Sequence, residues 1–281
     1  MSEPRIDVQV ETRDGPSKDE KKHPNTCPKC HSHYRDDELE ASLWVCGQCG
    51  HHFPMRARAR IASLADEGSF VEEASELRSD DPLDFFDLRP YAERLAEAEV
   101  TTGLGEAIVV GRANVDGTPC ELAVMDFAFM GGSMGSAVGE KFARACESAA
   151  EQNVTLVSVS ASGGARMQEG ILALMQLPKT VAAVAELHDA GSGYISVLAH
   201  PTTGGVLASF ASLGDILLAE PGALMSFAGP RVVQQTTREK LPDDFGRAEA
   251  NLRFGHVDAI VPRSELKPNV ARLLRLFPNG K

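Results

Sequence analysis

Four cysteines constrain this chain more than any other feature. Cys27, Cys30, Cys46 and Cys49 read C-x2-C-x15-C-x2-C. Each CxxC knuckle presents two thiolates to one ion, and two knuckles complete a tetrahedral site of four sulfurs. Four thiolates leave no position open to water, so the spacing predicts one structural Zn2+ per chain. A module this small cannot fold on apolar burial alone, and the metal supplies its folding energy. The competing reading, four unrelated buried cysteines, is opposed by both clustering and spacing. His31, His33, His51 and His52 lie close by and are read as neighbours of the site rather than ligands. Cys120 and Cys146 fall in a strand-like and a helix-like apolar stretch and read as core residues.

The remaining composition narrows the class. With 281 residues there is room for one large domain and one small one. The N-terminus, MSEPRIDVQVETRDGPSKDEKK, has no apolar signal region. No apolar run reaches the roughly 18 residues that would span a bilayer, so a soluble, cytoplasmic protein with reduced thiols is expected. A net charge of −12, from 28 basic and 40 acidic residues, opposes broad binding to nucleic acid, which depends on phosphate neutralisation.

Along the chain, residues 1–22 read as a flexible tail and 23–60 as the ribbon. Residues 61–103 read as a helical connector, with helix-like stretches near 60–66 and 90–99, and residues 104–281 as an α/β domain. Arg56, Arg58 and Arg60 after the ribbon suit either a solvated helix face or a phosphate-binding patch. EAIVVGRANVDGTPCELAVMDF predicts a hairpin turning at Asp116-Gly117. A glycine-rich loop, MGGSMGSAVG, precedes a helix with Val138, Phe142, Ala145, Cys146 and Ala149 on one apolar face. VTLVSVSAS then reads as a buried strand, and ILALMQLPKTVAAVAELHDAG as a helix bent or interrupted by Pro178. YISVLAHPTTGGVLASF repeats the strand-turn-helix plan. Strands alternating with helices imply ligand sites at strand C-terminal ends.

Both double-glycine turns sit at such ends. Gly163-Gly164 in SASGGARMQEG and Gly204-Gly205 in PTTGG each join a strand to a helix. Glycine allows close backbone approach, and adjacent amides at a helix start attract negative charge. Two such turns can form an oxyanion hole, although glycines needed only for tight turns would look the same. Neither turn is a P-loop or a GxGxxG fingerprint. No hydrolytic triad stands out: Ser160 and Ser162 flank the first turn without GxSxG, and His200, a possible base, more often plays a structural part at such a place. Oxyanion donors without a nucleophile suggest enolate chemistry on a thioester.

The ribbon followed by FAFMGGSMGSAVGEKF, SASGGARMQEG, PTTGGVLASFASLGD and FAGPRVVQQTTREKLP resembles the β-subunit family of acetyl-CoA carboxylase carboxyltransferases, from about residue 23 to the C-terminus. His200, Thr203, Ser226 and Pro54 depart from the pattern of that family. The resemblance implies a crotonase-like ββα spiral domain. It also implies transfer of a carboxyl group from carboxybiotin, carried on a biotin carboxyl carrier protein, to acetyl-CoA, giving malonyl-CoA for fatty-acid synthesis. Partners implied are a carboxyltransferase α subunit in an α2β2 heterotetramer, with the active site at their interface, and biotin carboxylase in the wider complex. Carried over, the Gly204-Gly205 amides are oxyanion donors, helped by the Gly163-Gly164 turn. Arg231, Arg238 and Lys240 become cationic candidates for coenzyme A phosphates. The ureido nitrogen of biotin then serves as the base, and no side-chain base is required.

Two other functions compete with this one: a related carboxyltransferase subunit acting on another acyl-CoA, and a zinc-ribbon regulatory or nucleic-acid-binding protein. From position 104 onward the sequence accounts for one crotonase-like domain, which predicts half an active site and an exposed apolar surface where the complementary subunit docks.

Overall fold

The computed structural model describes residues 25–277; the expected tail over 1–22 lies outside the described residues. The ribbon opens the fold, with the short helix α1 (Asp36–Ala41) between its two cysteine knuckles. Its apolar centre is only Cys27, Leu39, Cys46 and Phe53, against which Tyr34 and Trp44 pack. That is too little burial for independent stability.

Helix α2 (Ala57–Leu64) follows, and it belongs to the large core, not the ribbon, because Ala57, Ile61 and Leu64 are buried there. The basic run is not a free cationic patch: Arg58 keeps the exposed position of a solvated face, but each of the three arginines is paired with a carboxylate. Arg60 is buried against Glu220, Arg56 pairs with Asp126 at 3.0 Å, and Arg58 with Glu72 at 3.0 Å. Asp126 also accepts the Ala57 N–H at 2.9 Å, placing a carboxylate at the positive end of α2.

The stretch expected as a helical connector holds a strand as well as a helix. β1 (Val71–Glu73) pairs antiparallel with β2 (Ile108–Val115), and α3 (Tyr91–Thr102) lies between them in sequence. Three residues with two acids carry no alternation by which a strand could be read. β2 then turns back into β3 (Thr118–Met125). Asp116 and Gly117 have φ of 51° and 75°, the left-handed pair that a two-residue hairpin requires.

From β3 onward the sheet is parallel. α4 (Ser136–Gln152) buries Val138, Phe142, Ala145, Cys146 and Ala149, and leads into β4 (Thr155–Ser162), buried at every position. The helical segment Met167–Leu174, which ends in α5 (Gly170–Leu174), meets α6 (Gln176–Asp189) at 42°. The break falls at Met175, not at Pro178, because a proline ring collides with the carbonyl four residues back, here that of Leu174.

β5 (Tyr194–Thr203) runs into the short helix α7 (Gly204–Leu207). β6 (Ile216–Ala219), β7 (Met225–Ser226), α8 (Pro230–Thr237), α9 (Ala248–Arg253), β8 (Ala259–Ile260) and α10 (Arg263–Leu274) complete the fold. The sheet order is β1-β2-β3-β4-β5-β6-β8, with β7 pairing the end of β5. Among the described residues no single helix is long and apolar enough to cross a membrane.

Candidate functional site

The cysteine cluster is assembled by the two knuckles and is shaped for a metal. The four Sγ atoms all lie within 4.8 Å of one another, with Cys27–Cys49 at 3.6 Å and Cys30–Cys46 at 3.5 Å. Zinc–sulfur bonds of about 2.3 Å in a tetrahedron would set neighbouring sulfurs about 3.8 Å apart, so the cluster fits one four-thiolate ion. Burial opposes thiolate formation at Cys46, but the Tyr34 hydroxyl at 3.1 Å and nearby backbone N–H groups outweigh it and hold that thiol at about 6. His51 and His52 are not among the clustered ligands.

The two glycine turns come together because β4 and β5 are parallel neighbours, with Ser162 opposite Thr202. Gly164 has φ of 115° and Gly204 of 59°. A Cβ on Gly164 would stand 3.2 Å from the Gly204 Cα, and one on Gly204 3.0 Å from the Gly164 Cα. Only glycine fits at this crossing.

Which amides remain free is decided by the surrounding hydrogen bonds, and here the expected donors change. The Gly163 N–H donates to the Gly131 carbonyl at 2.9 Å, that of Gly164 to Ser162 Oγ at 3.0 Å, and that of Gly204 to the Phe227 carbonyl at 3.0 Å. Three of the four predicted amides are therefore already engaged. Among the described residues no acceptor takes the N–H of Gly205 or that of Ala165. Gly205 is the second residue of α7, where N–H groups lack partners within the helix. A Cβ on Gly205 would lie 3.6 Å from the Ala165 nitrogen, so the two unengaged amides border one space. Ser162 is no nucleophile: its hydroxyl donates to the Gly132 carbonyl at 2.6 Å while accepting from Gly164.

A buried polar cluster missed in the sequence lies behind the first turn. Arg166 has no exposed surface and pairs with Glu106 through both terminal nitrogens. Its Nε donates to Ser133 Oγ at 3.1 Å and Nη2 to the Ser133 carbonyl at 2.8 Å. Tyr91 donates to Glu169 at 2.6 Å, and Glu169 accepts the Ser136 N–H, also at 2.6 Å. Burial alone would raise the Glu169 pKa, but Tyr91, Ser136 and Arg166 outweigh it and keep the carboxylate ionised below its ordinary range.

A cavity of about 600 Å³ adjoins the first turn, walled by Arg94 and Thr101 of α3, Phe127, Met130, Ala165 and Met167. Beside it, Met167, Ile171, Leu174 and Met175 are exposed by 83%, 62%, 53% and 55%. This apolar band covers the surface of α5 and its approach.

The other candidates fall elsewhere. His200 uses Nδ1 to accept the Leu224 N–H at 3.1 Å, and burial, with Arg247 nearby, lowers its pKa; this makes it a backbone anchor rather than a base at the turns. Arg231 lies on α8, Arg238 is its exposed left-handed C-cap, and Lys240 is exposed two residues later. Neither Arg238 nor Lys240 enters an ion pair among the described residues, and their segment joins the turns through the Phe227 carbonyl.

The sequence matches the family described as "Carboxyl transferase domain" over residues 54–244. A relative from Synechococcus sp. (strain WH7803), the acetyl-coenzyme A carboxylase carboxyl transferase subunit beta, is 52% identical over 89% of this chain and 86% of its own. A second of the same name, from Pelotomaculum thermopropionicum, is 52% identical over 91% and 89%. Among solved structures, transcarboxylase 12S with methylmalonyl-coenzyme A and methylmalonic acid bound has a TM-score of 0.68 at 26% identity. That match covers 88% of this chain and 44% of the other. A Pseudomonas malonate decarboxylase hetero-tetramer in complex with malonate has a TM-score of 0.64 at 28% identity, covering 80% and 83%.

Proposed function

The chain belongs to the carboxyl transferase domain family, among the acetyl-CoA carboxylase carboxyl transferase β subunits, and from that premise we propose how its crotonase-like domain does this work. It is the carboxyltransferase β subunit of a biotin-dependent acetyl-CoA carboxylase. The observation that carries the mechanism is the crossing of Gly164 and Gly204, next to which the Ala165 and Gly205 N–H groups are unengaged, with Ala165 lining the cavity.

In this reading those two amides hold a carbonyl oxygen on which negative charge grows, either that of the acetyl thioester or that of the ureido ring. Fixed dipoles aimed at developing charge lower a barrier without reorganising during the reaction. Gly163 and Gly204 serve as scaffold, and Gly205 keeps the donor role expected for it. Carboxybiotin, presented by a biotin carboxyl carrier protein, supplies the carboxyl group and the nitrogen that takes the methyl proton. The chain's own residues orient and stabilise, and no side-chain base is needed. Arg231, Arg238 and Lys240 are the proposed contacts for coenzyme A phosphates.

The cysteine cluster holds zinc in a structural role: four sulfurs at tetrahedral spacing suit that ion and leave no open position. The exposed band at Met167, Ile171, Leu174 and Met175 fits a docking surface for the α subunit, in an α2β2 assembly that places the two carbonyl-binding halves face to face. An obligate interface of this kind buries more than about 2,000 Å². The expected setting is the cytoplasm, with biotin carboxylase in the wider complex.

The test is to mix the chain with acetyl-CoA and carboxybiotin, with and without the α subunit, and measure malonyl-CoA. Product formed only on mixing supports the reading. Full turnover by the chain alone, or none with a competent α subunit, would overturn it.

A further inference from the structure

We propose that Arg166, clamped by Glu106 and Tyr91, is a positioning residue for the transfer: it sets the direction of the Ala165 N–H. The proposal rests on the reading of Ala165 and Gly205 as the pair that holds the carbonyl oxygen.

The backbone supplies the first half of the argument. Met134 and Ala165 form a parallel bridge, in which the Met134 N–H donates to the Gly164 carbonyl at 2.8 Å and the Arg166 N–H to the Met134 carbonyl at 2.9 Å. In such a bridge the flanking residues bond to the neighbouring strand while the middle residue's own N–H points to the other side. Gly205 is close to the Ala165 nitrogen, a Cβ on that glycine standing 3.6 Å away. The aim of the Ala165 amide therefore depends on how firmly the loop around Met134 is held.

The side chain supplies the second half. Arg166 grips Ser133 at both its hydroxyl and its carbonyl, and Glu169, three residues on, grips the Ser136 N–H. Met134 is thus fixed from both flanks and bonded in the middle. Ser79, Tyr91 and Glu106 complete the clamp, with Arg166 Nη1 at 3.0, 3.1 and 2.9 Å from them. All the guanidinium donors have partners, and the Phe129 ring lies 5.6 Å from its carbon. A Cβ on Gly135 would run into Glu169 and Arg166, so the loop's own glycine is shaped around the clamp.

Energetics favour a directing role over simple stabilisation. Burying an ion pair this deeply costs so much desolvation that apolar residues of equal size often hold a fold as well. What apolar residues cannot supply is a rigid fork with fixed bond directions.

The test uses the assembled αβ enzyme and three variants. In the first, the Ala165 N–H is removed by an amide-to-ester exchange at that residue. The others are Tyr91→Phe, which takes one hydroxyl from the clamp, and Arg166→Lys. We expect the ester to lower kcat roughly 10²-fold or more. Tyr91→Phe should lower kcat roughly tenfold with KM for acetyl-CoA unchanged, and Arg166→Lys should lower it further. A merely structural clamp would lower the amount of folded enzyme without separating kcat from KM in the part that folds. A slow ester beside Tyr91→Phe at wild-type kcat overturns the positioning role and leaves the amide pair standing. An ester at wild-type kcat overturns the pair itself, and the inference with it. Tyr91→Phe decides the matter even where Arg166→Lys fails to fold.

Discussion

Arg263 and Glu220 form a two-pronged, buried ion pair, with Nε–Oε1 at 2.8 Å and Nη2–Oε2 at 2.7 Å. The remaining prong of Arg263, Nη1, donates to the carbonyls of Leu43, Trp44 and Phe53 at 2.9–3.1 Å. One side chain at the start of α10 thereby joins the ribbon to the carboxylate that follows β6. Arg263→Met should cost about 3 kcal/mol in a denaturant titration, because Glu220 loses one of its two arginines in a dry site. Hydrogen exchange should rise over residues 43–53 before it rises in β4 or β5. Equal exchange in ribbon and sheet would show that the joint does not hold the ribbon in place.

Metal removal should separate the two cores in the same order. Elemental analysis is expected to find one zinc per chain. A chelator should collapse the four-residue centre of the ribbon while the circular dichroism of the α/β domain persists. Cys46→Ser should reproduce the effect without chelator. A ribbon that keeps its amide dispersion at zero metal content would sink the claim.

Glu121 gives the stability a pH dependence that can be signed. Burial, with Glu73 nearby, pushes its pKa up to about 8 from the ordinary 4.5. The folded state keeps this proton after the unfolded chain has lost it, so stability falls as pH rises from about 4.5 to about 8 and then levels. The slope in that window is at most about 1.4 kcal/mol per pH unit. Glu121→Gln should flatten it, as read from urea midpoints at several pH values. A wild-type slope in the variant would place the coupling elsewhere.

Gly205 offers a cleaner probe of the turns than its neighbours. It is not among the left-handed glycines, and a Cβ there would meet the end of Leu177 at 3.1 Å, with the Ala165 Cβ at 3.5 Å and its nitrogen at 3.6 Å in ordinary contact. Gly205→Val should fold, with a modest loss of stability, yet lower kcat roughly 10²–10³-fold by crowding the amide. Gly204→Ala should instead lose stability, since its Cβ would press on backbone. Unchanged kcat in folded Gly205→Val would remove the donor role.

What was legible in advance was whatever is written locally. The knuckle spacing, the Asp116-Gly117 turn, the apolar face of α4 and the two glycine turns all depend on residues a few positions apart. The donors expected on the first turn are engaged: Gly164 gives its N–H to Ser162 within the turn itself, and Gly163 gives its own to Gly131, a pairing that exists only once β4 meets the glycine-rich loop. The Arg166 cluster was invisible for the same reason: Glu106 and Tyr91 stand 60 and 75 residues away in sequence. Arg60 misled, because an arginine in a basic run gives no local sign that a carboxylate 160 positions later will bury it.

The mutual contact of Gly164 and Gly204 also bears on how such a protein can change over generations. Each residue occupies the volume that a side chain on the other would need, so neither can acquire one first, and both are locked against gradual drift. On the proposed function, new acyl preferences have to arise on surfaces that tolerate single steps. Arg94 and Thr101 on α3, with Met130 and Met167 opposite, form such a surface: they line the cavity with side chains and leave the amides untouched. Diversification in this architecture is therefore channelled to one wall, and a library randomised there should yield functional variants far more often than one randomised at the crossing.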